Sequence, residues 1–93
     1  MQPDIVEKIN KDFDNPGEAL RILEAFVLIS KHPETDRVCR AVVFGAKGDI
    51  KKLHECIDDS FFDCRGFLHQ AEYAGTNDQV YDFNQLFSEI GPL

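Results

Sequence analysis

The stretch that decides the fold is "IKKLHECIDDSFFDCRGFLHQAEYA", residues 50 to 74. Its apolar side chains recur at spacings of three and four, which keeps one side of a helix apolar. They are Ile50, Leu53, Ile57, Phe61, Cys64, Leu68 and Ala71. Asp49 can cap the start of this helix. The segment "DDSFFD" is a poor helix interior, and Ser60 with Asp63 resembles a second capping box. We therefore expect a bend near Asp59, and the segment could form either one helix or two.

Histidines and cysteines in this stretch raise the question of a metal site, whose ligands must converge within about 2.0 to 2.3 Å of one point. At about 100° per residue, with His54 at 0°, Cys56 falls at about 200°. Cys64 then falls at about 280° and His69 at about 60°. These side chains point apart, and they lack the short ligand pairs of zinc motifs. We therefore predict no metal and no cofactor, and we interpret these two cysteines and Cys39 as small buried hydrophobic residues.

The opposite side of the same helical pattern is polar and has the character of a solvated helix surface. Its members, within about 100° of arc, are Lys51, His54, Glu55, Asp58, Phe62, Arg65, His69 and Glu72. Phe61 is predicted to face inward, whereas Phe62 lies among the charges. Phe62 then either packs into the core at a bend or forms an aromatic contact patch with His69 and Tyr73.

His54, Asp58 and His69 supply an alternative hypothesis, a small enzyme or a metal-binding protein. A carboxylate one turn from a histidine can orient and charge it for acid–base chemistry. No nucleophile elbow, phosphate loop or HExxH motif accompanies the pair. We therefore predict that the chain is not an enzyme and has no catalytic residue.

The remaining segments also have helical periodicity, and none alternates as a strand does. Ile5, Ile9 and Phe13 predict a short first helix. Asn15 and the following proline predict a second helix over residues 16 to 31, which Pro33 ends. The wide apolar arc of this second helix, about half its circumference, predicts that it is the central one.

A third helix is predicted to end before Gly48, which suits a left-handed C-terminal position. Its inward stripe is Val38, Cys39, Val42 and Ala46. A short C-terminal helix is predicted to bury Phe83, Leu86, Phe87 and Ile90 before "GPL", on its own chain or on another. The sequence thus predicts one all-α domain over residues 1 to 93, a compact bundle of four or five short helices.

The charge is unevenly distributed along the chain. Residues 36 to 52 carry two acidic and five basic side chains, whereas residues 53 to 93 carry eight acidic and one basic. One side of the third helix carries Arg37, Arg40, Phe44 and Lys47. Phe44 in this basic strip could anchor an acidic segment of a partner, with the guanidinium groups contacting its carboxylates. Alternatively, Phe44 packs beneath a terminal helix and the basic side chains cover it.

The formal net charge of -7 disfavours nucleic acid and anionic membranes as partners. We expect a cytoplasmic protein, because the start of the chain has no signal-peptide pattern and no apolar run reaches the about 20 residues of a membrane helix.

The function predicted from these features is binding to another protein, as a regulator, an immunity-type inhibitor or an adaptor. The candidate contacts are Arg37, Arg40, Phe44, Phe62, Arg65 and His69. A third hypothesis, drawn from the charge asymmetry, is a self-associating subunit that forms a homo-oligomer.

Overall fold

The computed structural model describes residues 1–30, 34–74 and 76–90, and within them every regular element is an α-helix. The predicted all-α class and compact bundle are confirmed. The radius of gyration of 12.1 Å matches the about 12 Å expected for a compact chain of this length. The elements are α1 (Pro3–Asp12), α2 (Pro16–Ser30), α3 (Thr35–Ala46), α4 (Ile50–Phe62), α5 (Cys64–Tyr73) and α6 (Phe87–Ile90).

The segment from residue 50 to 74 forms two helices, and the break lies at Asp63 rather than near Asp59. Asp63 has extended backbone angles, φ -152° and ψ 87°, and its carboxylate accepts the Gly66 N–H at 3.1 Å. Ser60 does not cap α5, because its hydroxyl donates to the carbonyl of Ile57 at 2.7 Å. The helix is therefore interrupted at Asp63, although Leu68 of α5 is buried and Arg65 and His69 are exposed, as the continuous pattern predicts.

The central helix is α3, so the prediction that α2 is central is wrong. α3 buries seven of its 12 residues and packs against α1, α2, α4 and α5. α2 buries three residues, and its Leu28 is 78% exposed. Small side chains let α3 approach α4 closely, since a Cβ on Gly45 would lie 3.1 Å from the Cys56 sulfur. The predicted end of α2 at residue 31 and the stop signal of Pro33 lie outside the described residues.

The turn between α3 and α4 follows the sequence prediction. Gly48 has a φ of 80°, and Lys47 before it has a φ of 50°. A Cβ on Gly48 would lie 2.3 Å from the carbonyl oxygen of Asp12. The carboxylate of Asp49 caps α4 by accepting the N–H of Lys51 at 2.8 Å. This turn therefore packs directly on the C-terminal end of α1.

The C-terminal segment packs on its own chain. Phe83 is fully buried although it precedes the one-turn helix α6, and Phe87 is buried beside α1. The N–H groups of Val80 and Tyr81 donate to the carbonyl of Glu72 at 2.7 and 2.9 Å. Leu86, predicted to be inward, is exposed. The predicted "GPL" stop lies outside the described residues.

Replacing Gly48 with alanine should destabilise the fold by about 2 kcal/mol or more, because the positive φ disfavours a Cβ and the Cβ meets the Asp12 carbonyl. Urea unfolding measures this change. Gly17→Ala is the matched control, since a Cβ there meets only the Asn15 side chain at an ordinary 3.7 Å. Equal unfolding free energies for the two variants would contradict the packing of this turn.

Candidate functional site

Arg37 and Arg40, predicted to contact a partner, are engaged inside the chain. Arg40 is only 4% exposed, and its Nε and Nη2 donate to the two oxygens of Asp4 at 2.9 and 3.2 Å. Its Nη1 donates to the carbonyl of Phe83 at 3.1 Å. Arg40 is therefore engaged within the chain, and its contact with a partner stays a prediction from the sequence.

Arg37 is held in the same way by Glu72, a carboxylate that is 1% exposed. The Nε of Arg37 donates to Glu72 at 3.0 Å, and its Nη2 donates to the other carboxylate oxygen. Its Nη1 also donates to Glu34 at 3.1 Å. The sequence placed Glu72 on the solvated face, and it is buried instead because Arg37 and the C-terminal segment pack against it.

Each of the two carboxylates also accepts a backbone N–H from the C-terminal segment. Phe87 donates to Asp4 at 3.1 Å, and Phe83 donates to Glu72 at 3.2 Å. We call the four side chains the arginine clamp, and they are Asp4, Arg37, Arg40 and Glu72. The clamp joins α1, α3, α5 and the C-terminal segment. Each of its carboxylates is thus paired with an arginine and a backbone N–H within the chain.

Titration of the buried groups follows from these surroundings. Burial alone would raise the pKa of Asp4, but the hydrogen bonds from Arg40 and from the Phe87 N–H, together with the charge of Arg40, outweigh it and lower that pKa. Burial raises the pKa of Cys39 to about 12. Burial also raises the pKa of Cys56 and of Cys64. The three thiols therefore stay protonated at neutral pH and are poor nucleophiles.

The last turn of α4 exposes aromatic surface among acidic groups. Phe62 is 94% exposed and Phe61 is 52% exposed, so Phe61 does not face inward as predicted and Phe62 is not in the core. The ring of Phe61 packs edge-on against that of Phe26, with centroids 5.3 Å apart. Exposed aspartates lie one turn before Phe62 and directly after it. We call this set the Phe62 corner, and it comprises Asp58, Asp59, Phe61, Phe62 and Asp63.

The other two candidate contacts, Arg65 and His69, are exposed on α5. The imidazole of His69 stacks on the ring of Tyr73, with centroids 4.4 Å apart and planes at 13°. This pair is two of the three members of the predicted aromatic patch. Phe62 lies on α4 before the break, and among the described residues no ring contact joins it to the pair. The patch with Phe62 is therefore not assembled.

The residues of the enzyme hypothesis are not brought to one point. His54 and Asp58 lie on the exposed side of α4, whereas His69 lies on α5 beyond the break. In the part of the chain that the structure describes, no hydrogen bond joins His54 to Asp58. Nor does any group of three or more histidine, cysteine or carboxylate side chains there have a geometry that could hold a metal ion.

Phe44 is half-buried and forms the floor of a basic surface cavity. Its ring contacts those of Tyr81 and Phe83, at centroid distances of 4.9 and 5.5 Å, and the Lys47 ammonium lies 5.0 Å from its centroid. The cavity has a volume of about 390 Å³. We call it the Phe44 pocket, and it is lined by Lys8, Lys11, Asp12, Phe44 and Lys47.

Three lysines face one aspartate in the Phe44 pocket, so its charge is positive in a chain that is acidic overall. Lys8 pairs with Asp12 at 3.0 Å. Lys11 and Lys47 are exposed. Sequence reasoning missed the α1 lysines because their position beside Phe44 depends on how α1 packs on α3. Their three-residue spacing gives only a weak signal that both lie on one polar face.

Comparison with protein families, with curated proteins and with solved structures gives no match to this chain. In the described ranges, no helix is both long enough and apolar enough to cross a membrane. The proposals below therefore depend on the geometry of the chain itself.

Arg37→Ala should lower the unfolding free energy by about 3 kcal/mol, because it leaves the Glu72 carboxylate buried without its cation. This loss is at the lower end of the range expected when a buried ion pair loses one partner, since 23% of the Arg37 side chain is exposed. The control is Arg65→Ala on α5, an exposed site where a change within about 0.5 kcal/mol is expected. Urea denaturation of both variants tests this, and an Arg37 effect as small as that of Arg65 would contradict the clamp.

The Asp4 carboxylate should make the free energy of unfolding fall as the pH is lowered. A carboxyl whose pKa is lowered by folding contributes stability that is present above its ordinary value of 3.8 and is lost as the pH falls through the folded value. Asp4→Asn should therefore reduce the loss of unfolding free energy below about pH 4. Denaturation curves between neutral pH and acid measure the slope. Asp14→Asn, at an exposed carboxylate, should keep the wild-type slope, and an unchanged slope for Asp4→Asn would refute the assignment.

Proposed function

We propose that the chain acts by binding another protein, as a small regulator, inhibitor or adaptor, and that the Phe62 corner is its contact surface. The observation that carries this proposal is the exposure of the Phe62 ring, 94%, in a chain that buries most of its other phenylalanines. Burial of an exposed phenylalanine side chain yields about 1.5 to 3 kcal/mol. Phe62 therefore has the chemistry of an anchor that fills a partner's pocket.

The corner is held rigidly enough to serve as a contact without refolding. Phe61 fixes the end of α4 to α2 through the ring of Phe26. Directly after Phe62, the side chain of Asp63 caps α5 through the Gly66 N–H. A side chain presented from such a fixed position loses little additional conformational freedom on binding. This preorganisation supports an interface rather than an incidental exposed ring.

The surrounding charges indicate what kind of partner would fit. Asp58, Asp59 and Asp63 are exposed around the ring, so the corner combines an aromatic centre with an acidic rim. A complementary partner has an apolar pocket bordered by lysine or arginine. Opposite charges of this kind speed association and select among partners more than they add affinity.

Two earlier hypotheses change accordingly. The interface on α3 loses Arg37 and Arg40 to the arginine clamp, while Phe44 keeps a positively charged environment from lysines. The enzyme hypothesis gains no support, because His54, Asp58 and His69 share no common site. A cytoplasmic location stays a prediction from the sequence.

Phe62→Ser should weaken binding to a captured partner by at least tenfold, about 1.4 kcal/mol, because it removes the anchor. Leu28→Ser is the matched control, since Leu28 is 78% exposed on α2. The partner is isolated on immobilised wild-type chain, and its affinity for each purified variant is then measured by calorimetry. Equal affinity for wild type and Phe62→Ser would refute the assignment of the corner.

A further inference from the structure

We propose that the Phe62 corner binds the Phe44 pocket of a second copy of this chain, so that copies associate head to tail. This inference rests on the proposed function, because it takes the corner as a contact surface and names what the contact is made to. The inference differs from the proposed function because both contact surfaces belong to this chain. No other partner is needed for the contact to form.

The two surfaces are chemically complementary. The corner presents an exposed phenylalanine with three aspartates around it, Asp58, Asp59 and Asp63. The pocket presents the Phe44 ring with three lysines and one aspartate around it. An aromatic ring entering the pocket gains an aromatic neighbour, and the aspartates of the rim gain the exposed ammonium groups of Lys11 and Lys47. Its volume of about 390 Å³ lies in the usual range of binding pockets, about 300 to 1,000 Å³.

The floor of the pocket is set in place by the fold. Tyr81 and Phe83 pack on the Phe44 ring, and Phe83 is held in turn by hydrogen bonds to Arg40 and Glu72. The C-terminal segment therefore fixes the ring from one direction. The lysines of α1 and Lys47 border the Phe44 ring from another direction. A second copy meets a preformed site rather than a mobile side chain.

The positions of the two surfaces dictate a head-to-tail arrangement. The pocket includes Lys47, just before α4, whereas the corner is the last turn of α4. From residue 50 to residue 62, a helix rises about 18 Å. A rigid helix of this length prevents the corner from reaching the pocket of its own chain. Contacts between unlike surfaces of identical chains produce either closed rings or open chains.

The overall charge of -7 sets a limit on this association. Copies repel one another at a distance, but at physiological salt the Debye length is only about 8 Å, so most of that repulsion is screened. Pairs in direct contact across the interface are screened less. We therefore expect a weak, concentration-dependent association rather than a permanent oligomer.

The test uses the whole chain and two variants that each disable one surface, Phe62→Ser and Lys47→Glu. Sedimentation equilibrium from 10 to 500 µM is expected to give an average mass for wild type that rises above the monomer mass of 10.6 kDa. Each variant alone should stay at the monomer mass. An equimolar mixture should form a dimer and stop there, because the intact corner of one variant fits the intact pocket of the other. Lys11→Glu serves as a second pocket variant that leaves the α3–α4 turn unchanged.

Wild type that remains a monomer at 500 µM would overturn the inference. Self-association that persists in Phe62→Ser or in both lysine variants, or a mixture that fails to dimerise, would also overturn it. The proposed function is tested separately from this inference. If wild type is a monomer while a different captured protein still loses at least tenfold affinity with Phe62→Ser, the corner is a contact surface for that protein and only the second-copy inference is wrong.

Discussion

The structure depends on two carboxylates, the buried Glu72 and the partly buried Asp4, that arginines on one side of α3 neutralise. Glu72 is 1% exposed, and Asp4 sits beside the almost fully buried Arg40. A buried charge without a partner costs several kcal/mol, so these pairs restrict how the elements can assemble. Because Arg37 and Arg40 lie about one turn apart on α3, satisfying both brings α1 and α5 to the same side of that helix. The C-terminal segment completes the arrangement by donating backbone N–H groups to both carboxylates.

This constraint also explains where the surfaces available for binding lie. The arginines of the basic region are used within the chain, so the exposed positive charge near Phe44 comes from Lys47 and from the lysines of α1. The clamp holds Phe83, and Phe83 with Tyr81 fixes the ring of Phe44. At the acidic end of α4, Asp63 caps α5 and the Phe62 ring stays exposed. The basic surface around Phe44 and the acidic surface at the Phe62 corner thus follow from the pairing of the arginines with carboxylates inside the chain.

Local signals predicted the local features of the fold well. The three-and-four spacing located the helices, Asp49 caps α4 as predicted, and the left-handed position of Gly48 is observed. The break was misplaced because Ser60 and Asp63 are competing capping residues, and the sequence does not show which of them caps. The burial of Glu72 depends instead on Arg37, 35 residues away, and on the C-terminal segment that packs over it.

The features that could not be predicted depend on contacts between distant parts of the chain. Arg40 bonds to Asp4, 36 residues away, and to Phe83, 43 residues away. An arginine on a helix looks the same in sequence whether it faces solvent or a buried carboxylate. The two alternatives for Phe62, in the core or in a patch with His69 and Tyr73, both differ from the structure, where the ring is exposed on α4 and the pair lies on α5. Charge patterning placed Phe44 and Lys47 on a basic surface, as observed, but put Arg37 and Arg40 there instead of the lysines of α1.

The arginine Nε–H signals in a proton–nitrogen NMR spectrum test the clamp most directly. If the clamp forms, the Nε–H protons of Arg37 and Arg40 exchange with water much more slowly than that of the exposed Arg65, and the Arg40 Nε–H shows contacts to Asp4 and Phe83 protons. Exchange of the Arg37 and Arg40 protons as fast as that of Arg65 would contradict the clamp and the fold that depends on it.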